Sequence, residues 1–212
     1  MDLRITDEPA RAAATWIARR LRDAGRRRGV ASLALSGGST APAMIEALLA
    51  DQVPWDAVTI WQVDERVAAD GNADRNALQL TGLPCAVRLM PVTADDLRAA
   101  AGRYGRSLPD PFDVMHLGVG DDGHTASWPP GNRDVLMSDR RVELVPSFNG
   151  RRRMTLTPPV VNGARSRVIL ATGSAKRPVI TRWLEGDRSV PIATVKRTAT
   201  TVFLDRAAAP AE

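Results

Sequence analysis

The sequence is nearly free of cysteine. Cys85 is the only one in 212 residues, so no disulfide can form within the chain, which is typical of proteins from a reducing compartment. No apolar run approaches the roughly 18 residues that a membrane-spanning helix needs. No charged start followed by an apolar stretch indicates a signal peptide. We therefore expect a cytoplasmic protein that makes no membrane contact.

Aromatic residues are also scarce, at 4% of the chain. None lies within the two arginine clusters, at 26–28 and 151–153, so neither cluster has the interleaved aromatics of many nucleic-acid-binding faces. We predict no nucleic-acid partner. The net charge of +5 and the pI of about 10.5 still favour anionic ligands, and phosphorylated metabolites are the remaining class.

The length predicts one domain over residues 1–212, which is large enough to bury roughly 70% of its unfolded surface. Helical and strand periods alternate along the chain, which predicts an α/β fold: a Rossmann-like, mostly parallel sheet flanked by helices, with a small antiparallel element. We expect a monomer or a weak homo-oligomer. Helices are predicted at 8–28, 42–50, 94–107, 159–164 and 175–185, with a short one ending near 82. Strands are predicted at 31–35, 57–63, 112–117, 167–171 and 200–204, with an antiparallel pair in 141–156 and a frayed tail after 204.

Three polar loops follow three of these apolar strands, at 36–40, 64–76 and 118–131. In open parallel sheets, ligands bind outside the carboxyl ends of the strands. If the strands are neighbours, the three loops share one edge of the sheet, and we expect the functional site there.

The first loop is Ser-Gly-Gly-Ser-Thr and opens a helix. Paired glycines allow the backbone to approach a ligand closely, and free amides at a helix start favour an anion. Gly37, Gly38, Ser39 and Thr40 are therefore candidate phosphate ligands. No lysine follows at the spacing of a nucleotide-binding P-loop. The alternative is an ordinary strand-to-helix turn capped by Ser or Thr.

The second loop begins with Asp64, Glu65 and Arg66. Such a group can bind sugar hydroxyls, orient a water, or hold a phosphate through the guanidinium of Arg66. Asn76, at the far end of the loop, is a further polar candidate. The alternative is a solvated loop with local ion pairs.

The third loop contains Gly118, Gly120 and Gly123 in the spacing G-x-G-x-x-G. This spacing alone indicates a dinucleotide site, but Asp121 and Asp122 would repel a pyrophosphate there, so an NAD-dependent dehydrogenase is a poor alternative.

His124, in the same loop, is one of two histidines in the chain. An imidazole at a strand end is suited to general-base catalysis near neutral pH, and either Asp122 or Asp64 could tune it. The other histidine, His116, falls inside an apolar strand, where we expect a packed side chain. Two histidines at this spacing do not make a usual metal site, so we predict no metal.

Taken together and in order, these segments resemble the 6-phosphogluconolactonase family and its glucosamine-6-phosphate isomerase/deaminase relatives. The resemblance extends from about Leu33 to Lys176. It rests on residues 35–40, 63–66 with Asn76, 112–127, 153–165 and 173–176.

The resemblance implies hydrolysis of 6-phosphogluconolactone to 6-phosphogluconate in the pentose phosphate pathway, on an α/β fold and without a cofactor. It implies that His124 activates water. It also implies that Arg153 and Lys176 assist the glycine turn in holding the phosphate, with Arg66 and Asp64 as further pocket residues.

Two positions separate the hydrolases from their isomerase relatives. The relatives carry an aromatic after the acid pair and a Glu five residues after the loop histidine, whereas this chain has Arg66 and Pro129. The resemblance therefore favours the hydrolase. The chain departs from the family at Trp128 and Pro129, where Leu-Phe is usual. A sugar-phosphate isomerase or deaminase, and a non-catalytic sugar-phosphate sensor, are the alternatives.

Overall fold

The computed structural model describes residues 1–211, and its strands and helices alternate as the sequence predicts. The strands are β1 (Asp2–Ile5), β2 (Ala31–Leu35), β3 (Val58–Gln62), β4 (Asp64–Arg66), β5 (Ala86–Arg88), β6 (Val114–Gly118), β7 (Val142–Phe148), β8 (Arg151–Leu156), β9 (Arg167–Ala171) and β10 (Thr200–Leu204). The helices are α1 (Pro9–Arg28), α2 (Ala41–Leu49), α3 (Leu97–Ser107), α4 (Arg133–Leu136), α5 (Pro158–Gly163) and α6 (Arg177–Leu184). Short 3-10 helices cover Trp55–Ala57, Asn76–Leu80, Ser174–Lys176 and Pro191–Thr194.

Seven parallel strands form the main sheet, in the order β1-β10-β9-β6-β2-β3-β5. Its inner strands are buried on both faces, which explains why they appear in the sequence as short continuous apolar runs. Leu33 and Leu35 of β2 pack into a core with α1 and α2, while Ala34 between them belongs to the core on the other face. The predicted Rossmann-like parallel sheet flanked by helices is confirmed.

A second, antiparallel sheet has the order β4-β8-β7. The prediction of a small antiparallel element is thus confirmed, but the assignment of residues 64–66 to a loop is wrong. These residues form β4, an edge strand in which Arg66 lies opposite Arg153 of β8. This strand could not be predicted from the sequence because β4 has polar side chains and pairs with a strand about 90 residues away.

The tail after β10 is packed rather than frayed. Ala208 and Ala209 are buried, and the amide of Ala208 donates to Asp205 Oδ1 over 2.7 Å. Three further elements are not predicted by the sequence: the edge strands β1 and β5 and the single turn of α4. All three are short, and β1 is exposed along its length.

The topology brings the three predicted loops together. Strands β2 and β6 are neighbours, with Leu35 opposite His116, so the loops that follow them emerge side by side. Strand β4 begins two residues after β3 ends and carries the second loop to the same edge. Within residues 1–211, no helix is both long and apolar enough to cross a membrane.

Candidate active site

The three loops and the antiparallel sheet enclose a cavity of about 170 Å³ at the carboxyl ends of the central strands. All but one of the predicted site residues line it. They are Gly37, Gly38, Ser39, Thr40, Asp64, Arg66, His124, Arg153 and Lys176. The remaining one, Asp122, lies behind His124 and contacts it directly.

His124 is held by Asp122 through two hydrogen bonds. Its ring Nδ1 lies 2.5 Å from Asp122 Oδ1, and its backbone amide donates to the same oxygen over 3.0 Å. Partial burial of Asp122 opposes ionisation, but these bonds outweigh it and lower the pKa of the carboxyl. An ionised Asp122 keeps the proton of His124 on Nδ1, which leaves Nε2 as the basic nitrogen.

Gly120 leaves room for the imidazole. A Cβ added at Gly120 would lie 1.9 Å from His124 Nδ1, so any side chain there would displace the ring. The middle glycine of the G-x-G-x-x-G spacing is therefore explained by space for a histidine, with no need for a dinucleotide.

Phe148, at the end of β7, packs edge-on against His124, with the ring centroids 4.8 Å apart and the planes at 82°. The guanidinium of Arg153 lies 5.0 Å from the centroid of the same phenyl ring, and Arg153 Nε donates to the Phe148 carbonyl over 3.2 Å. One buried phenyl ring thus contacts both the candidate base and a candidate phosphate ligand.

The glycine turn of residues 36–40 is shaped by contacts to the second loop. A Cβ at Gly37 would lie 2.1 Å from Asn76 Oδ1, and Gly38 adopts φ +115°, a conformation that favours glycine. The Gly38 amide donates to Gln79 Oε1 over 3.2 Å. Thr40 is the N-cap residue of α2 but makes no side-chain capping bond, so its hydroxyl and the helix start are available to an anion.

Arg66 and Arg153 are directly opposite each other across β4 and β8. Burial, followed by the charge of Arg66, lowers the pKa of Arg153. Like charges opposite each other on a sheet are destabilising, so a bound anion would relieve this repulsion. Arg66 is oriented by donating to the Asp74 carbonyl over 2.9 Å and to Asn76 Oδ1.

Asp64 is a buried carboxyl in the wall of the cavity. Burial raises its pKa, although a hydrogen bond from Ser127 and the charges of Arg66 and Arg153 act in the opposite direction. Ser127 Oγ donates to Asp64 Oδ2 over 2.6 Å. Because this carboxyl contacts Ser127 while Asp122 contacts the imidazole, the geometry favours Asp122 as the acid that orients His124.

Lys176 reaches the cavity from the 3-10 helix before α6. Its ammonium pairs with Asp121 of the third loop. The pair joins this loop to the last part of the site, and it keeps a cation at the rim of the cavity.

Glu65 has a structural role that sequence reasoning missed. It is fully buried, accepts the backbone amides of Arg66, Asn76 and Ala77, each over 2.8 Å, and pairs with Arg75 at 3.1 Å. This carboxylate folds the second loop onto itself and so places Arg66 and Asn76. Its spacing from its partners gave no recognisable signal in the sequence.

His116 and Trp128 are packed side chains. His116 is fully buried, as predicted, and burial lowers its pKa to about 4. The Trp128 indole is also buried and donates to the Leu156 carbonyl over 2.8 Å, so it does not narrow the cavity entrance. Among residues 1–211, no three His, Cys, Asp or Glu side chains are grouped as metal ligands would be.

Residues 5–204 match the family model described as "Glucosamine-6-phosphate isomerases/6-phosphogluconolactonase". The chain belongs to this family. The match covers nearly all of the main sheet and every residue of the cavity, so the family extends over the whole site.

Several relatives of at least 30% identity are 6-phosphogluconolactonases. The chain is 34% identical over 168 residues to the 6-phosphogluconolactonase of Synechocystis, covering 71% of this chain and 70% of that protein. It is 30% identical over 214 residues to that of Pseudomonas aeruginosa, covering 92% and 90%. A crystal structure of a 6-phosphogluconolactonase from Shewanella baltica superimposes with a TM-score of 0.88 at 26% identity, covering 97% of both chains.

Proposed function

We propose that this member of the family hydrolyses the lactone ring of 6-phosphogluconolactone to 6-phosphogluconate, with His124 as the base that activates water. This reaction would place the enzyme in the pentose phosphate pathway. The proposal rests on the position of His124 in the wall of the cavity, with its Nδ1 bound by a carboxylate. The other walls of this cavity hold three cationic side chains and a glycine turn.

In the proposed reaction, Nε2 of His124 takes a proton from water as the oxygen attacks the lactone carbonyl carbon. The negative charge on the resulting tetrahedral oxyanion is stabilised by cations and amides of the cavity. The bond from this carbon to the ring oxygen then breaks, and the ring oxygen receives the proton from Nε2. One water is consumed, the carboxylic acid product ionises, and His124 returns to its starting state.

We infer that the phosphate of the substrate lies between the glycine turn and the pair Arg66 and Arg153. Support comes from the Thr40 hydroxyl, which makes no capping bond at the start of α2, and from the two opposed guanidiniums. Guanidinium groups match phosphate oxygens well. Lys176 would contribute a third positive charge at the rim.

Replacing the base tests the proposal directly. We expect His124→Asn to lower kcat for the lactone by roughly 10²- to 10⁴-fold, the usual contribution of a positioned general base. The rate must be corrected for spontaneous hydrolysis, and thermal unfolding would show that the variant is folded. A kcat close to that of the unmodified enzyme would remove His124 from this role.

The two alternatives predict different results with the unmodified protein. An isomerase or deaminase would turn over glucosamine 6-phosphate, although Pro129 occupies the position at which the relatives carry a Glu. A sensor would be stabilised by 6-phosphogluconate without hydrolysing the lactone. Either result would contradict the proposed function.

A further inference from the structure

A second basic cavity lies at the other end of the strands of the main sheet. It has a volume of about 490 Å³ and lies between α1 and the segments that lead into β6 and β9. Because the strands are parallel, these segments are at the amino ends, about five residues or roughly 16 Å of strand away from the candidate active site. Its arginines are Arg4, Arg19, Arg20, Arg27, Arg28 and Arg165.

Positive charge in this cleft is not balanced by its two acids, Asp23 and Asp113. Asp113 already pairs with Arg28 and with Arg165, the latter at 3.5 Å, and accepts the backbone amide of Ser32 over 2.9 Å. Arg4 pairs with Asp2 at 2.7 Å. Asp23 pairs with Arg26, outside the cleft lining. Over residues 1–211, none of the ion pairs involves Arg19, Arg20 or Arg27.

Arg20 is fixed in place within the cleft. Its guanidinium carbon lies 3.2 Å from the ring centroid of Trp16, which is 7% exposed, and its Nε donates to Ser166 Oγ over 3.3 Å. Burial, followed by the charges of Arg19 and Arg4, lowers the pKa of Arg20 to about 10. The negative charge of an anion bound beside this guanidinium would offset both effects.

We propose that this cleft binds a small molecule with several phosphate groups, of the class of inorganic triphosphate and nucleoside polyphosphates. The site is separate from the candidate active-site cavity around His124, which we call the lactone cavity. Three of the six arginines pair with carboxylates, and the other three, Arg19, Arg20 and Arg27, carry more positive charge than one phosphate ester can neutralise. The volume lies in the range of small-molecule sites, about 300 to 1,000 Å³.

A single-stranded nucleic acid is the less suitable occupant. Such strands bind through bases stacked on exposed aromatic rings, and the aromatic ring that lines this cleft, Trp16, is covered by Arg20. The positive charge is also confined to a cleft, whereas a nucleic acid needs a continuous basic track.

Binding of inorganic triphosphate, measured by calorimetry at low ionic strength, tests the site. We expect Arg20→Gln and the double variant Arg19→Gln/Arg27→Gln each to weaken binding about tenfold or more, as expected for lost hydrogen bonds to a charged group. The matched control is Arg103→Gln/Arg106→Gln, which removes two exposed arginines from α3 and should change the affinity much less. The Arg19→Gln/Arg27→Gln variant still tests the cleft if Arg20→Gln does not fold.

Four results would overturn the proposal. The first is an equal loss of affinity in the α3 control, which would mean that only net charge matters. The second is loss of binding in Lys176→Gln but not in the cleft variants, which would place triphosphate in the lactone cavity. The third is sulfate binding as tightly as triphosphate. The fourth is displacement of triphosphate from the cleft by a short single-stranded oligonucleotide.

Discussion

His124 and Asp122 are separated by one residue, and a tight turn at Gly123 makes their side chains meet. Gly123 has φ +84°, and its amide donates to the Gly120 carbonyl over 3.0 Å. A Cβ at Gly123 would also lie 2.8 Å from Val179 Cγ2. The orientation of the imidazole is therefore set within a few residues of sequence.

Asp122→Asn should lower kcat while leaving KM nearly unchanged, because the amide no longer fixes the proton on Nδ1. We expect a decrease of roughly 10- to 100-fold, less than for a fully buried carboxylate partner, since solvent reaches Asp122. Steady-state kinetics with the lactone measure both constants.

The neighbouring Asp121→Asn is the matched control. It removes a carboxylate that pairs with Lys176 and does not touch His124, so its main effect should be on KM. Equal decreases in kcat for the two variants would refute an orienting role for Asp122.

The hairpin of β7 and β8 is the element that joins the proposed catalytic and phosphate-binding residues. Phe148→Leu keeps an apolar side chain at its end but removes the ring that contacts His124 and Arg153. An aromatic pair and a cation–π contact each contribute about 1 kcal/mol, so we expect kcat/KM to decrease several-fold to about tenfold.

A second buried aromatic pair provides the comparison. Phe112 packs against Trp61 with ring centroids 5.5 Å apart and planes at 84°, away from the lactone cavity. Phe112→Leu should lower the melting temperature with little change in kcat/KM. If Phe148→Leu behaves in the same way, the hairpin serves stability alone.

The strands and helices that could be predicted are those whose own residues form a local pattern in the sequence. Strands β2, β9 and β10 have the predicted bounds, because burial on both faces makes them unbroken apolar runs between turn residues. Strand β4 was missed because its polar residues are stabilised by β8, far along the chain.

The same distinction applies within the site. The glycine turns and His124 are local motifs, and the sequence alone indicated them as candidates. The bond from Ser127 to Asp64 joins residues 63 positions apart, and the buried pair Glu65–Arg75 depends on a loop that must first fold. Such contacts have no spacing that a sequence pattern could detect.

At the scale of the whole molecule, whose net charge is +5, cations line a cavity at each end of the strands of the main sheet. One group of cations lines the lactone cavity at the carboxyl ends, and the other lines the arginine cleft at the amino ends. Within the sheet between them, Arg167 at the start of β9 is a buried cation. The titratable imidazole of His116 is buried in the central strand β6.

The buried imidazole of His116 makes the stability of the fold depend on pH. In the unfolded chain it titrates near 6.5, whereas burial lowers its pKa to about 4 in the folded protein. Between these values the unfolded chain binds the proton and the folded chain does not. The stabilisation is therefore complete above pH 6.5 and is lost as the pH falls towards 4, by about 3 kcal/mol in all.

Urea unfolding of the unmodified protein and of His116→Leu, each at pH 7 and pH 5, measures this contribution. Leucine has a volume similar to that of histidine. It also removes the two ring nitrogens, which have no hydrogen-bond partner among the described residues, so the variant should fold. From pH 7 to pH 5 we expect the unmodified protein to lose about 2 kcal/mol more than the variant. Other titrating groups, such as Asp64 and Asp122, are common to both proteins and cancel in the comparison. Identical losses would mean that the ring of His116 is hydrated or paired in solution, and that the central strand does not exclude the proton.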